Sequence, residues 1–331
     1  MYKVLVRSRD LNDATKHYVD ILISSLKTLG YKVEFVYSVN EISKEDKVLV
    51  ITLPGFITAW LHNPSQDISI WFQGVTPEEC GMLFSGWKKY WKIFFNTILD
   101  FFAVHMARRV LFVSETMLKH YRNKYGYKGQ NYVIMPCFNQ PIVKESFVEE
   151  KYKTPSFVYA GSLSKWQCVD ETLELFTHIK KQLPNATLTL LTGEKEKAQG
   201  LLDKYGIEDA TVKYVPYQEL NAELSKYKYG FLIREDVKVN NVATPTKMNS
   251  YMACGVIPVY SNVIGDFQKI FSEMKYKIEV TSSKEDTIGK IIELEKNDIV
   301  AEDVYSEYNK LFDTYYCEKH YTPLITELFQ N

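Results

Sequence analysis

The sequence predicts an α/β protein built as two parallel-sheet domains with helices on both faces, and three observations carry that expectation. At 331 residues the chain is too long for one ordinary α/β core and comfortable for two of about 150 residues each. Short β-branched runs alternate with helical patterns from end to end. The runs are apolar throughout, as in parallel strands covered on both sides.

In the first half the spacing predicts strands at 2–6, 32–36, 47–51, 68–72, 109–113 and 132–135. In the second half it predicts them at 156–159, 187–191, 212–215, 230–233, 256–260 and 277–280. Helical patterns separate many of these, at 14–29, 114–125, 170–182, 194–205 and 246–253. The alternation breaks in PCFNQPIVKESFVEEKYKTP, residues 136–155, which holds three prolines and a run of charges. The expected domains are therefore 1–140 and 150–305. A last helix, roughly 304–329, is expected to let residues 306–331 cross back to the first domain.

Composition excludes several classes. Lys plus Arg total 40 against 41 Asp plus Glu, a net charge of −1. A duplex-binding protein needs a basic excess, since counterion release supplies most of its affinity, so nucleic acid is not an expected partner. The five cysteines are scattered and odd in number, which argues for reduced thiols in the cytoplasm and against a disulfide frame or a zinc site. MYKVLVRSRD opens as a strand and not as a signal peptide, and no run of eighteen apolar residues occurs. There is no G-x-G, no P-loop, no H-E-x-x-H and no G-x-S-x-G. D-x-D is also missing, so no metal site and no cofactor is expected.

Two segments carry chemistry. In NNVATPTKMNSYMACGVIPVYS, residues 240–261, Thr244 is a candidate N-cap and Pro245 suits the first helical position, with Thr246 and Lys247 in the first turn. A helix N-terminus offers free N–H groups and a positive dipole end to an anion. The Thr246 hydroxyl and the Lys247 charge add to it, enough to hold a pyrophosphate without a metal. In FVYAGSLSKWQCVDETLELF, residues 157–176, a strand ends on Gly161 and a short polar loop leads to a helix. Such a loop lies at the carboxyl end of a strand, where α/β sheets bind ligands. Gly161 allows close backbone approach, and Lys165 is a second candidate phosphate cation.

Together these segments resemble the C-terminal half of GT-B glycosyltransferases, two facing Rossmann-like domains, and the family-4 (group 1) type in particular. That family carries G-[RST]-L-x-x-x-K and, about eighty residues on, a P-T-K-x-x-E-Y-x-A-x-G-x-P-like stretch. Gly161, Leu163 and Lys165 match the first; Pro245, Thr246, Lys247, Tyr251, Ala253, Gly255 and Pro258 match the second. The resemblance implies that Lys165, Thr246 and Lys247 hold the donor diphosphate, with Lys247 and Lys165 stabilising the departing group. Arg234, at the end of the strand at 230–233, is a further candidate, and Tyr214 to Tyr217 match the stretch near the nucleobase. The family's ribose glutamate is replaced by Ser250, its earlier paired acid has no counterpart among Asn240, Asn241 and Val242, and the frequent loop arginine is Ser162.

The first half is harder to read. RSRDLNDATKH replaces the family's Gly-rich loop and offers Arg7, Arg9 and Lys16 as anion contacts. WFQGVTPEECG, residues 71–81, presents Gln73, Glu78 and Glu79. Either carboxylate could act as a general base towards an acceptor hydroxyl, or simply open a helix with favourable charge. His62, His105 and His120 stand alone and suit structural roles. FSGWKKYWKIFFNTILDFF, residues 84–102, reads as a basic-aromatic amphipathic helix. Part of it is expected in the core, and its N-terminal turns (84–95) at a membrane surface.

The expectation is a metal-independent glycosyl transfer from a nucleoside-diphosphate sugar to a hydroxyl of a glycan or lipid-linked acceptor. The setting would be surface polysaccharide or glycolipid synthesis, in the cytoplasm and peripheral to the membrane. Two alternatives stay open: a nucleotide-sugar epimerase of the same fold, and a non-catalytic glycosyltransferase-like partner subunit.

Overall fold

A computed structural model describes residues 1–7, 10–11 and 13–330, the side chains of 13 and 14 excepted. The chain divides into two compact units. One comprises Met1–Asn139, Val237–Thr244 and Cys317–Asn331; the other comprises Gln140–Asp236 and Pro245–Tyr316.

The first unit contains β1 (Tyr2–Leu5), α1 (Asp13–Thr28), β2 (Val33–Val36), β3 (Lys47–Val50), α2 (Leu53–His62) and β4 (Asp67–Phe72). α3 (Thr76–Leu83), α4 (Gly86–Met106), β5 (Arg109–Phe112), α5 (Glu115–Tyr125) and β6 (Tyr132–Ile134) follow. Its sheet is parallel, in the order β2-β1-β3-β4-β5-β6. The strands are almost wholly buried at β1, β4 and β5, which is why their sequences are mostly apolar, with Lys3, Ser69 and Arg109 the buried polar exceptions.

The second unit contains β7 (Ser156–Ala160), α6 (Val169–Gln182), β8 (Thr187–Leu191), α7 (Lys195–Tyr205), β9 (Thr211–Lys213), α8 (Leu220–Leu224) and β10 (Tyr229–Leu232). α9 (Lys238–Asn241) belongs to the first unit. The second unit resumes with α10 (Thr246–Ala253), β11 (Ile257–Ser261), α11 (Gly265–Ile270), β12 (Ile278–Val280), α12 (Lys284–Glu295) and α13 (Ala301–Thr314). Its parallel sheet runs β12-β11-β10-β7-β8-β9. Strand order reverses between β7 and β10, and a crevice at the carboxyl ends of two such strands is where doubly wound sheets take ligands.

Two expectations change. The single C-terminal helix is two: α13 ends at Thr314, and α14 (Glu318–Gln330) starts afresh. Tyr315 and Tyr316 close the first helix on the Leu311 carbonyl, and the two helices serve different cores. Tyr308 of α13 donates to the Tyr276 carbonyl at 2.7 Å in the second unit. Phe329 of α14 packs edge-on against Tyr2 in the first.

α4 also departs from the reading. Only Asp100, Ala103 and Val104 of its 21 residues are buried, so its aromatics do not enter the core. A carboxylate faces inward and the rings face out.

Candidate active site

The site in the second unit grows from the β7–β10 crevice. β7 ends at Ala160, whose N–H donates to Tyr251 Oη at 3.1 Å, and Tyr251 in turn donates to the Phe231 carbonyl of β10 at 3.2 Å. The Tyr251 ring lies flat on Gly230, where a Cβ would fall 2.7 Å from it. One α10 side chain thus ties together the two strands that flank the crevice.

Gly161 follows at φ +139°, a conformation L side chains rarely adopt. A Cβ there would meet Lys247 Nζ at 3.2 Å, so the glycine also makes room for the cation. The loop beyond it is pinned from α7. Leu163 N–H donates to Glu194 Oε1 at 2.6 Å, and Lys197 Nζ donates to the Leu163 carbonyl at 2.6 Å. Ser162 is exposed and shares a 3.0 Å hydrogen bond with Ser164. Lys165 opens a short 3-10 turn, Lys165–Gln167, with its side chain exposed. Among the described residues it forms no ion pair.

α10 begins at Thr246, with Pro245 in the cap position and no side-chain cap bond. Pro245 therefore stands one place earlier than expected, and Thr244 is not the cap. Its hydroxyl accepts the Cys137 N–H at 3.0 Å in the first unit. The first turn of α10 is left without a side chain over its N–H groups, the condition for anion binding.

Lys247 points from that turn under the Gly161 loop. Its Nζ donates to Gln167 Oε1 at 3.0 Å and sits over the Tyr159 ring, 3.9 Å from the centroid. Burial, and secondarily the Arg234 charge, push its pKa well down. Arg234 follows β10; it is 7% exposed, donates from Nη1 to the Ile233 carbonyl at 3.0 Å, and receives its own backbone anchor from Ser261 Oγ, which accepts its N–H at 2.8 Å. Its pKa too is lowered by burial. Neither cation pairs with a carboxylate among the described residues. Two cations so placed with no counter-charge create a site that an anion completes.

The remaining residues of this unit are more spread. Ser250 is buried and its Oγ donates back to the Thr246 carbonyl at 3.1 Å. Tyr217 Oη accepts from Gln140 Nε2 at 2.7 Å, and the Gln140 backbone is gripped on both sides by Asn249 of α10. Tyr159, Gln167 and Asn249 were not singled out from sequence. Nothing local marks them, since each acts through a partner some eighty or more residues away in the chain.

The first unit holds the acceptor-side candidates. Glu78 lies 2.7 Å from Lys124 Nζ and 3.0 Å from His120 Nε2. Burial works against its charge, yet these partners hold its pKa below the usual range. A carboxylate so engaged is a poor base. Glu79 is different: burial raises its pKa, and the Glu78 charge adds to that, against a lowering bond from Val75. Its carboxylate folds over Gly74, where a Cβ would fall 2.1 Å from Oε1. Of the pair, Glu79 is the one whose carboxylate is shifted towards holding a proton, the direction a general base needs.

Gln73 Nε2 donates to the Ile51 carbonyl at 2.7 Å. Arg7 pairs with Asp10 at 3.1 Å, Lys16 is exposed, and Arg9 lies outside the described residues. His105 Nδ1 lies 2.8 Å from the Phe101 carbonyl, and His62 ends α2. No group of three or more His, Cys, Asp or Glu suited to a metal occurs among the described residues.

The fold is shared with solved structures of known proteins. No curated protein matches the chain by sequence. Among solved structures, the fold is shared with a variant of S. aureus TarM in complex with Fondaparinux, alpha-GlcNAc-glycerol and UDP, at 14% identity and TM-score 0.63. That match covers 87% of this chain and 55% of TarM, so the chain spans about half the length of this relative. Sucrose-phosphate synthase from Thermosynechococcus elongatus shares it at 11% identity, TM-score 0.78, over 99% of this chain and 98% of that one. Anabaena Alr3699/HepE in complex with UDP-glucose does so at 11% identity and TM-score 0.70, over 99% of each chain. All three are similar in the GT-B fold. A family model described as glycosyl transferases group 1 matches residues 143–311, just over half the chain. The chain belongs to the glycosyl transferases group 1 family.

Proposed function

We propose that the chain transfers a sugar from a nucleoside-diphosphate sugar, of the uridine type, to a hydroxyl of a glycan or lipid-linked acceptor in surface polysaccharide or glycolipid synthesis. The observation that carries the reading is the unneutralised pair Lys247 and Arg234 beside the uncapped start of α10. A diphosphate supplies the missing negative charge in the ground state. It supplies more as the sugar departs, when preorganised cations lower the barrier most. Thr246 contributes its hydroxyl and first-turn N–H groups, Gly161 and Ser162 their backbone, and Lys165 a mobile outer charge. The uridine preference is supported by the ligands in the TarM and HepE structures.

Glu79 is the proposed base towards the acceptor, and Glu78 holds His120 and Lys124 in place. No metal takes part, because cations and a helix end neutralise the diphosphate. The protein works in the cytoplasm, peripheral to a membrane that it meets through residues 84–95. No helix among the described residues is long and apolar enough to cross a membrane. One observation favours the non-catalytic reading: the serine at the ribose-glutamate position turns its hydroxyl back to the Thr246 carbonyl.

The test is a thermal-shift series with UDP, GDP, ADP and their sugars, followed by turnover of the stabilising donor with and without EDTA. Selective stabilisation by a uridine donor and EDTA-insensitive turnover are expected. Strict dependence on added Mg²⁺ or Mn²⁺ overturns the metal-free site. Binding without turnover moves the chain to the partner-subunit class.

A further inference from the structure

α4 is built inside out. At 100° per residue, Lys89, Ile93, Asn96, Asp100, Ala103 and Val104 form the stripe that faces the first unit, and all six are buried or half-buried, as are Thr97 and Leu99 beside the stripe. Asn96 Nδ2 reaches Cys80 Sγ at 3.6 Å, and Ile93 and Lys89 lie against Gly81 of α3. The opposite arc, about 160° wide by the same geometry, carries Trp87, Tyr90, Trp91, Phe94, Phe95, Ile98, Phe101, Phe102 and Met106. Trp87 and Tyr90 are 69% and 72% exposed, and the exposure continues to Met106 at 52%. Leu61 of α2 and Leu83 of α3 are exposed too. Exposed apolar surface on this scale marks an interaction face rather than scatter.

Charge selects the occupant. Lys88 and Lys92 run along one flank of the aromatic arc. Between Leu83 and Met106 the only acid is Asp100, which is buried. A second copy docked here would set lysines against a face with no carboxylate to meet them, although an isologous contact must be self-complementary. Lysines are also depleted from protein interfaces, whereas Trp and Tyr beside Lys suit the headgroup layer of a bilayer.

We infer that the whole outer face of α4, out to Met106, seats the protein on an anionic lipid surface, with the helix lying in the interfacial plane. This rests on the peripheral placement proposed above and carries it from residue 95 out to residue 106. The acceptor class it implies is a hydroxyl presented at that surface.

The experiment sediments the full chain with vesicles of phosphatidylcholine, alone or with phosphatidylglycerol, at low and high salt. Donor-induced thermal stabilisation is read on the same samples. Wild type should bind the phosphatidylglycerol vesicles with a blue shift of tryptophan emission, and more weakly as salt screens the lysines. Lys88→Glu/Lys92→Glu should weaken binding about tenfold or more. Phe101→Ser/Phe102→Ser, beyond residue 95, should weaken it as well, and both variants should keep the wild-type melting temperature. Indifference of wild type to the anionic vesicles overturns the proposal, as does a dimer that the Phe101→Ser/Phe102→Ser variant dissolves. Retained binding by that variant overturns the extension past residue 95. Missing donor stabilisation would defeat the diphosphate reading and leave the vesicle result standing.

Discussion

α10 and α4 each reverse an ordinary rule of burial, in opposite senses. α10 has eight residues, six of them buried, and it sends a lysine into a pocket that already holds Arg234. α4 has 21 residues, three of them buried, and it sends its rings to solvent. Charge taken out of water costs free energy, and so does apolar surface left in it. Local choices that oppose the fold mark places where something else completes the structure. For α10 we propose that the missing part is an anion, and for α4 an apolar, negatively charged surface.

The comparison breaks first at Lys247. Lys247→Ala should lower kcat by roughly a hundredfold or more, about 3–4 kcal/mol of transition-state stabilisation, in a protein whose melting temperature does not fall. Steady-state turnover with circular dichroism melts checks this. Near-normal turnover by the folded variant removes the site.

Asp100 tests the inner side of α4. Burial raises its pKa to about 7 from 3.8, although Tyr121 and Tyr125 donate to its Oδ2 at 3.2 and 3.3 Å. Its Oδ1 has no hydrogen-bond partner. Between those two pKa values the folded chain keeps a proton that the unfolded chain has lost. Stability therefore falls as pH rises from about 4 to about 7, and the deficit is complete above that. Asp100→Asn should be more stable than wild type at pH 8, by on the order of 1–3 kcal/mol. The gap should close as the pH of the urea titrations is lowered towards 4. A gap independent of pH would show that the carboxylate is ionised throughout.

The smallest effect is expected at Lys165, exposed and without an ion pair among the described residues. Lys165→Ala should cost about tenfold in kcat/KM, near 1.4 kcal/mol, chiefly through KM for the donor. A loss equal to that of Lys247→Ala would mean that the loop closes on the donor and brings the outer lysine in.

Much of this was legible from residue order. Apolar runs and helical spacing mark the parallel strands, because a strand covered on both faces has no polar side. P-T-K before a helix, and Gly161 after a strand, mark the uncapped helix start and the positive-φ turn of the proposed anion site, because both depend on local backbone geometry. Even there the start of α10 shifts by one residue, since Thr244 is drawn to the Cys137 N–H instead of capping the helix.

What the sequence alone determined, then, is the set of elements and the local backbone states: twelve strand positions, a glycine-dependent turn, and a helix start rich in donors. Only the tertiary structure decided which cations lose their counter-ions. Lys247 meets Gln167 across eighty residues of chain, while Glu78 is neutralised by Lys124 across 46. The direction of α4 was likewise beyond the sequence. Periodicity gives a helix two faces but not which of them turns inward. That depends on what the neighbouring helices offer, and here α5 offers two tyrosine hydroxyls to a carboxylate and leaves the rings outside.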